Sequence, residues 1–166
     1  MLEIKDLLTS STKKMLEKSI SSELYASNLY KHIANQLQRL GFFGGQKYYL
    51  NESADELTHY QILADYCNDM GWVAPIPTVE AMKMKIGSIE DALKEQYKAE
   101  LDLLNQYEEF YDEVNEDDCI TAQFLLQFLE IQRKSVGDVG DLAARYNRCG
   151  SNEAAILEFD NFLRKK

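Results

Sequence analysis

Both prolines of this 166-residue chain lie in one short segment, at Pro75 and Pro77. Because proline interrupts helices, the long stretches on either side of this segment are free to form them. A sandwich or a barrel needs many turns, and eight glycines with two prolines are too few to mark them. The sequence therefore predicts an all-α fold, and its length predicts a single domain over residues 1–166.

The 3.6-residue spacing of apolar side chains predicts four long helices and a short fifth. Their expected bounds are Ser10 or Ser11 to Arg39, Gln46 to Met70, Ser88 to Val114, Ile120 to Arg148, and Glu153 to Leu163. The segment from Gly71 to about Lys85 is longer than the roughly 2–8 residues usual between helices of a bundle. It can carry the chain from one end of a bundle to the other, which predicts a four-helix bundle with a crossover between the second and third helices.

The formal net charge is −10, and no basic patch is present to bind nucleic acid or an anionic membrane. An acidic balance suits cations, although solvated Glu and Asp side chains explain the same charge. No stretch approaches the roughly 18 apolar residues of a membrane helix. The charged segment Met1–Asp6 is unlike a signal peptide, and the three cysteines form no C-x-x-C pair. We therefore expect a soluble, cytoplasmic protein without a disulfide framework or a thiolate zinc site.

Three of the predicted helices carry a glutamate on the face that should be core, at Glu23, Glu56 and Glu100. An isolated buried carboxylate costs several kcal/mol, and no Lys or Arg on these faces compensates it. Glu56 and His59 form an E-x-x-H pair one helical turn apart, which is weak alone but is typical of di-iron carboxylate sites. Oxygen and imidazole ligands in this mixture favour iron, manganese or zinc.

Other side chains near these positions have less certain roles. Tyr30 lies two turns from Glu23 on the same face, where a core tyrosine and a redox-active one are both plausible. His32 lies on the opposite side of that helix from Glu23 and is expected at the surface. Asp55 is expected to be mainly solvated. On the fourth helix, the apolar phase places Gln132 inward, with Glu130 and Arg133 outward.

These residues resemble the ferritin family, specifically the bacterial non-haem ferritins. The similarity spans nearly the whole chain and rests on Glu23-Leu24-Tyr25 with Tyr30, on Asp55–His59, on Ile76–Glu80 and on Gln96–Glu100. The resemblance implies that Glu23 and His59 hold a first iron, that Glu56 bridges, and that Glu100 holds a second. Gln132 matches a ferritin glutamine, whereas the further glutamates of many bacterial ferritins are missing, and Ser135 stands where one is often found.

The same resemblance implies oxidation of Fe(II) by O₂ or peroxide at a centre of two irons per subunit, in a homo-oligomeric shell of 24 subunits. No haem is expected, because the methionine that bacterioferritins place after Glu56 is Leu57 here. Two alternatives stay open. One is a shell-forming storage protein with little oxidase activity, which the carboxylate-poor fourth helix favours. The other is a related bundle that acts on an organic substrate or has a purely structural role.

Overall fold

The structure is a computed structural model that describes residues 4–166 and contains five helices in this range. They are α1 (Ser10–Leu40), α2 (Phe43–Asp69), α3 (Ile89–Val114), α4 (Cys119–Asn147) and α5 (Glu153–Leu163). No strand occurs in the described range, so the predicted all-α fold is confirmed. The prediction that the segment Met1–Asp6 is unlike a signal peptide concerns in part residues 1–3, which lie outside the described range.

The second helix begins at Phe43, earlier than the predicted Gln46. Gly44 and Gly45, which precede the predicted start, lie in the first helical turn. Asp160 of α5 accepts hydrogen bonds from the backbone N–H groups of Gly44 and Gly45, at 3.0 and 2.7 Å. A carboxylate at a helix N-terminus satisfies free N–H groups and interacts favourably with the helix dipole. The approach is so close that a Cβ atom at Gly44 would lie 1.7 Å from the Asp160 carbonyl oxygen.

The core runs through the bundle and takes side chains from all five helices. Helix α1 packs mainly on α2, α3 packs mainly on α4, and α5 packs on α2. On α3, Tyr97 is 42% exposed, whereas its neighbour Gln96 is fully buried. The spacing of the buried residues Leu93, Gln96, Glu100 and Leu103 shows that the inward face lies one residue before Tyr97.

Residues 70–88 form the predicted crossover between α2 and α3 and contain no helix until Ser88 caps α3. The crossover is fastened to α1 by two side chains. His32 Nε2 lies 2.8 Å from the Met84 carbonyl oxygen, and Gln36 Oε1 accepts a hydrogen bond from Ile86 N at 2.9 Å. His32 is therefore half-buried under the crossover, and its prediction as a surface residue is wrong because the periodicity of α1 alone does not reveal this cover. Within residues 4–166, no helix is long and apolar enough to cross a membrane.

Candidate metal centre

Glu23 on α1 meets Glu56 and His59 on α2 in the interior of the bundle. The Nδ1 atom of His59 lies 2.8 Å from Glu56 Oε2 and 3.6 Å from Glu23 Oε2. One ligand atom from each of the three residues lies within 4.8 Å of the others, and no other such group occurs among residues 4–166. Both carboxylates are almost fully buried, with 0% of Glu23 and 4% of Glu56 exposed. Glu56 and His59, the two residues of the E-x-x-H pair, thus both face α1, as the periodicity predicts.

Glu100 on α3 is also buried, with 1% of the residue exposed, but it is not part of this close group. The Tyr30 hydroxyl donates a hydrogen bond to Glu100 Oε1. On the other side of the site, the Tyr107 hydroxyl donates to Glu23 Oε1. These two tyrosines orient the carboxylates and leave their second oxygens, Glu23 Oε2 and Glu100 Oε2, buried without a hydrogen-bond donor.

The electrostatics of the site reflect its burial. Removal from water raises the pKa of Glu56 well above its usual range, and the nearby charges of Glu23 and Glu100 raise it further. Burial likewise raises the pKa of Glu100 to about 7. Burial alone would lower the pKa of His59, but the adjacent carboxylates of Glu23 and Glu56 outweigh it and raise the pKa to about 10. Without a metal, a proton on His59 therefore balances part of the carboxylate charge.

Helix α4 forms the fourth wall, and Gln132 points inward as predicted. Gln132 is fully buried, and both polar atoms of its amide are without a partner. Arg133 is exposed and paired with Glu130, with Nη2 to Oε1 at 2.6 Å, so no fixed cation faces the site from this position. Val136, one turn further along α4, is half-buried. The predicted register of α4 is therefore confirmed at Gln132 and Arg133.

A cavity of about 340 Å³ connects the group to the surface between α2 and α4. Glu56, His59 and Glu100 line it, and α4 contributes Ser135 and the rim residue Asp138. Asp55 also lines the rim and is exposed, as the sequence analysis expected.

Glu52 lines the same cavity, and the sequence analysis missed it. This residue lies one turn before Glu56 and is half-buried. Burial raises the pKa of Glu52 to about 7. The i, i+4 spacing from Glu56 was the available signal.

The donor set fits a transition-metal cation. Two buried carboxylate oxygens, Glu23 Oε2 and Glu100 Oε2, lack a donor, and a carboxylate oxygen of Glu56 and an imidazole nitrogen of His59 lie within 4.8 Å of the Glu23 carboxylate. Such oxygens are costly unless a cation or a donor compensates them. Carboxylates with one imidazole suit Fe(II), Mn(II) or Zn(II), and with only one histidine in the group they favour Cu(II) less.

Comparison with known proteins agrees with this reading of the fold. A sequence profile described as a ferritin-like domain matches residues 13–149. The chain belongs to the ferritin family. A probable bacterial non-heme ferritin-like protein of Haemophilus influenzae is 24% identical over 158 residues, which is 95% of this chain and 96% of that protein. A bacterial non-heme ferritin of Staphylococcus epidermidis is 26% identical over 118 residues, 70% of this chain and 71% of the relative.

Among solved structures, an open pore ferritin from Archaeoglobus fulgidus superposes with a TM-score of 0.92. It is 21% identical, and the match covers 96% of this chain and 99% of that one. At this identity the likeness concerns the fold, and it confirms a ferritin-like bundle with a short C-terminal helix. The family is that of the bacterial non-haem ferritins, and family and fold together support a role in iron storage.

Proposed function

We propose that this ferritin is a ferroxidase that binds two Fe(II) ions per subunit and oxidises them for storage. Glu23 and His59 hold the first ion, Glu56 bridges both, and Glu100 holds the second. Each Fe(II) gives one electron, and O₂ or peroxide accepts the pair. The observation that carries the proposal is the convergence of Glu23, Glu56 and His59 within 4.8 Å in a buried position.

The metal-free group already has the arrangement that a cation needs. His59 Nδ1 faces an oxygen of each of Glu56 and Glu23, and the raised pKa of His59 means that a proton occupies this nitrogen at neutral pH. A divalent ion that binds here displaces the proton of His59. The ion carries more positive charge than the proton that leaves. Binding therefore relieves the desolvation cost of the carboxylates, with proton release as its direct consequence.

The tyrosines and the α4 amide have supporting roles in this proposal. Tyr30 donates to Glu100 and thereby fixes the orientation of the carboxylate that holds the second ion. Tyr30 also lies close enough to that carboxylate for a redox role. The buried, unpartnered amide of Gln132 is the polar group that α4 offers to the site.

Storage further requires an assembly. We propose a homo-oligomeric shell, with 24 subunits as the family expectation, that encloses the ferric mineral. The net charge of −10 favours the attraction of cations to such a shell. Size-exclusion chromatography with light scattering checks the assembly. A monomer at all concentrations contradicts the storage proposal and leaves the metal centre to be judged separately.

Anaerobic titration with Fe(II), followed by addition of O₂, tests the oxidation. We expect two ions bound per subunit and their rapid oxidation when O₂ is added. No iron uptake at all contradicts the proposed metal centre, and uptake with slow oxidation favours the second candidate function.

That second candidate is a storage shell with weak or no ferroxidase activity. It is favoured by α4, which presents an amide at Gln132 and a hydroxyl at Ser135 where further carboxylates would strengthen the second position. In this case the first ion still binds, but the second position is rarely occupied. Transfer of two electrons from an iron pair to O₂ or peroxide is then slow.

A further inference from the structure

Three carboxylates that the proposed centre does not use line the cavity between α2 and α4, namely Glu52, Asp55 and Asp138. Glu52 precedes Glu56 by one turn of α2, so both side chains leave the helix on the same face. Glu52 shares the cavity wall with Glu56 and Glu100. It is half-buried, whereas the neighbouring Asp55 is exposed at the rim.

The side chain of Glu52 is directed towards α3, the helix that carries Glu100. Gln96 lies one turn before Glu100, and its Nε2 donates to Glu52 Oε2 at 2.8 Å. The same Nε2 atom lies 3.0 Å from the Tyr48 hydroxyl. Because Gln96 is itself fully buried, this contact holds the half-buried Glu52 carboxylate against the α3 wall of the cavity.

Two oxygens on this part of α3 lack a donor. Glu100 Oε2 and Gln96 Oε1 are both buried and without a hydrogen-bond partner, although Glu100 Oε1 is paired with Tyr30. Buried oxygens without donors are costly, and two of them beside a half-buried carboxylate indicate a missing positive partner. Lys134 and Lys166 line the cavity but leave these oxygens unpartnered.

We propose that Glu52 is a further ligand of the second iron position, where it joins Glu100 and supplies the carboxylate that α4 lacks. This inference rests on the proposed function, because it needs a second cation beside Glu56. Glu52 leaves the Gln96 amide and turns to the ion by rotation about its own side-chain torsions. The second position then has three carboxylates, one of them shared with the first.

The test uses Zn²⁺, which cannot be oxidised, so binding is measured apart from turnover. The assembled metal-free protein is titrated by calorimetry in three forms: the unchanged protein, Glu52→Gln and Asp55→Asn. We expect two zinc ions per subunit in the unchanged protein. Glu52→Gln should weaken the second ion by about 10- to 100-fold, as expected when a group that supports a metal is lost, and should leave the first unchanged.

Asp55→Asn is the matched control, because it removes the same charge from the same helix at the exposed rim of the same cavity. It separates ligation from simple attraction by charge. We expect the affinity of Asp55→Asn for the second zinc ion to stay within about twofold of that of the unchanged protein, because exposed charges are screened by salt. Equal weakening by the two substitutions overturns the proposal.

Crystals of the zinc-loaded protein give a second readout by anomalous scattering. Zinc within about 2.0–2.2 Å of a Glu52 oxygen supports the proposal, whereas zinc beside Glu100 with Glu52 still on Gln96 overturns it. The outcomes also separate the two levels of inference. Two equal zinc sites in both the unchanged protein and Glu52→Gln reject only the role of Glu52. A single zinc per subunit in the unchanged protein rejects the second position, and none rejects the proposed metal centre itself.

Discussion

The two halves of the candidate metal centre are built differently. The α1–α2 half brings Glu23, Glu56 and His59 within 4.8 Å of one another, with the histidine nitrogen already facing both carboxylates. The α3–α4 half offers one buried carboxylate, Glu100, and an amide at Gln132 whose polar atoms have no hydrogen-bond partner. One half brings its ligand atoms close together, and the other does not.

This difference has an energetic origin. In the first half, a protonated His59 compensates the two carboxylates, so they can approach each other without a metal. In the second half, Glu100 has only the neutral Tyr30 hydroxyl as a hydrogen-bond partner, and the nearby charges of Glu52 and Glu23 add to the effect of burial in raising its pKa. The first position should therefore bind tightly with little rearrangement, whereas the second depends on a ligand that moves when the ion arrives.

The strongest test of this comparison is the residue that both halves share. We expect Glu56→Ala to abolish rapid Fe(II) oxidation, with a loss of at least about 100-fold, because it removes a ligand from both positions. The fold should persist, and the metal-free protein should be as stable or more stable, since a buried and poorly compensated carboxylate has been removed. Stopped-flow oxidation and thermal unfolding measure the two effects.

The matched control is Asp65→Ala, which removes an exposed carboxylate of α2 that contacts only Gln61. Its oxidation rate should equal that of the unchanged protein. Two irons per subunit oxidised at the original rate by Glu56→Ala would show that the shared bridge has been assigned to the wrong residue.

Removal of the imidazole probes the organised half alone. We expect His59→Ala to weaken the first position by roughly 10- to 100-fold, because Glu23 remains there with only the bridging carboxylate. His32→Ala is the natural comparison, since the chain has two histidines and His32 contacts the Met84 carbonyl instead of the centre. It should cost some stability of the crossover and leave oxidation unchanged. Equal effects on iron binding would place His32 in the centre.

The order in which the two positions bind Fe(II) tests the difference between the two halves of the centre. At rising Fe(II) under anaerobic conditions, crystals should fill the Glu23–His59 position first and the Glu100 position later. Ser135→Glu introduces a carboxylate into the cavity from α4 and should raise occupancy of the second position at a given Fe(II) concentration. Gln127→Glu adds the same charge at an exposed site of α4 and should have no such effect. Simultaneous filling of both positions contradicts an unequal centre.

Much of this arrangement was predictable from the sequence because helical periodicity is a strong local signal. Glu23, Glu56, Glu100 and Gln132 all lie on apolar faces, and all four are buried in the structure. The position of the crossover followed from Pro75 and Pro77, which no central helix could contain. The predicted start of the third helix at Ser88 agrees with the structure, where the Ser88 side chain accepts a hydrogen bond from Asp91 N and caps α3.

The errors arose where a residue of another segment decides the structure. The early start of α2 depends on Asp160, which lies more than 100 residues away in the chain and supplies the missing cap. The half-burial of His32 depends on the crossover that covers it. The i, i+4 spacing from Glu56 places Glu52 on the same face of α2, but the contact that directs its side chain comes from Gln96 of α3. Local sequence thus predicts which face is inward, but contacts between segments decide which side chains meet.

The smallest expected effect concerns the stability of the metal-free protein and its dependence on pH. Burial raises the pKa of Glu100 from 4.5 to about 7, so between these values the folded protein binds more protons than the unfolded chain. Stability must then fall as pH rises through this window, by about 1–3 kcal/mol for this carboxyl. Glu52 acts in the same direction over the same window. The raised pKa of His59 extends the decline in stability, because the contribution of His59 is complete below about pH 6.5 and is lost as pH rises towards about 10.

Glu100→Gln should flatten the profile of stability against pH between pH 5 and 7, and urea unfolding in the presence of a chelator measures this. A metal-free protein that becomes more stable over that range would show that Glu100 has a compensating cation in the folded state, and the contrast between the two halves would then fail.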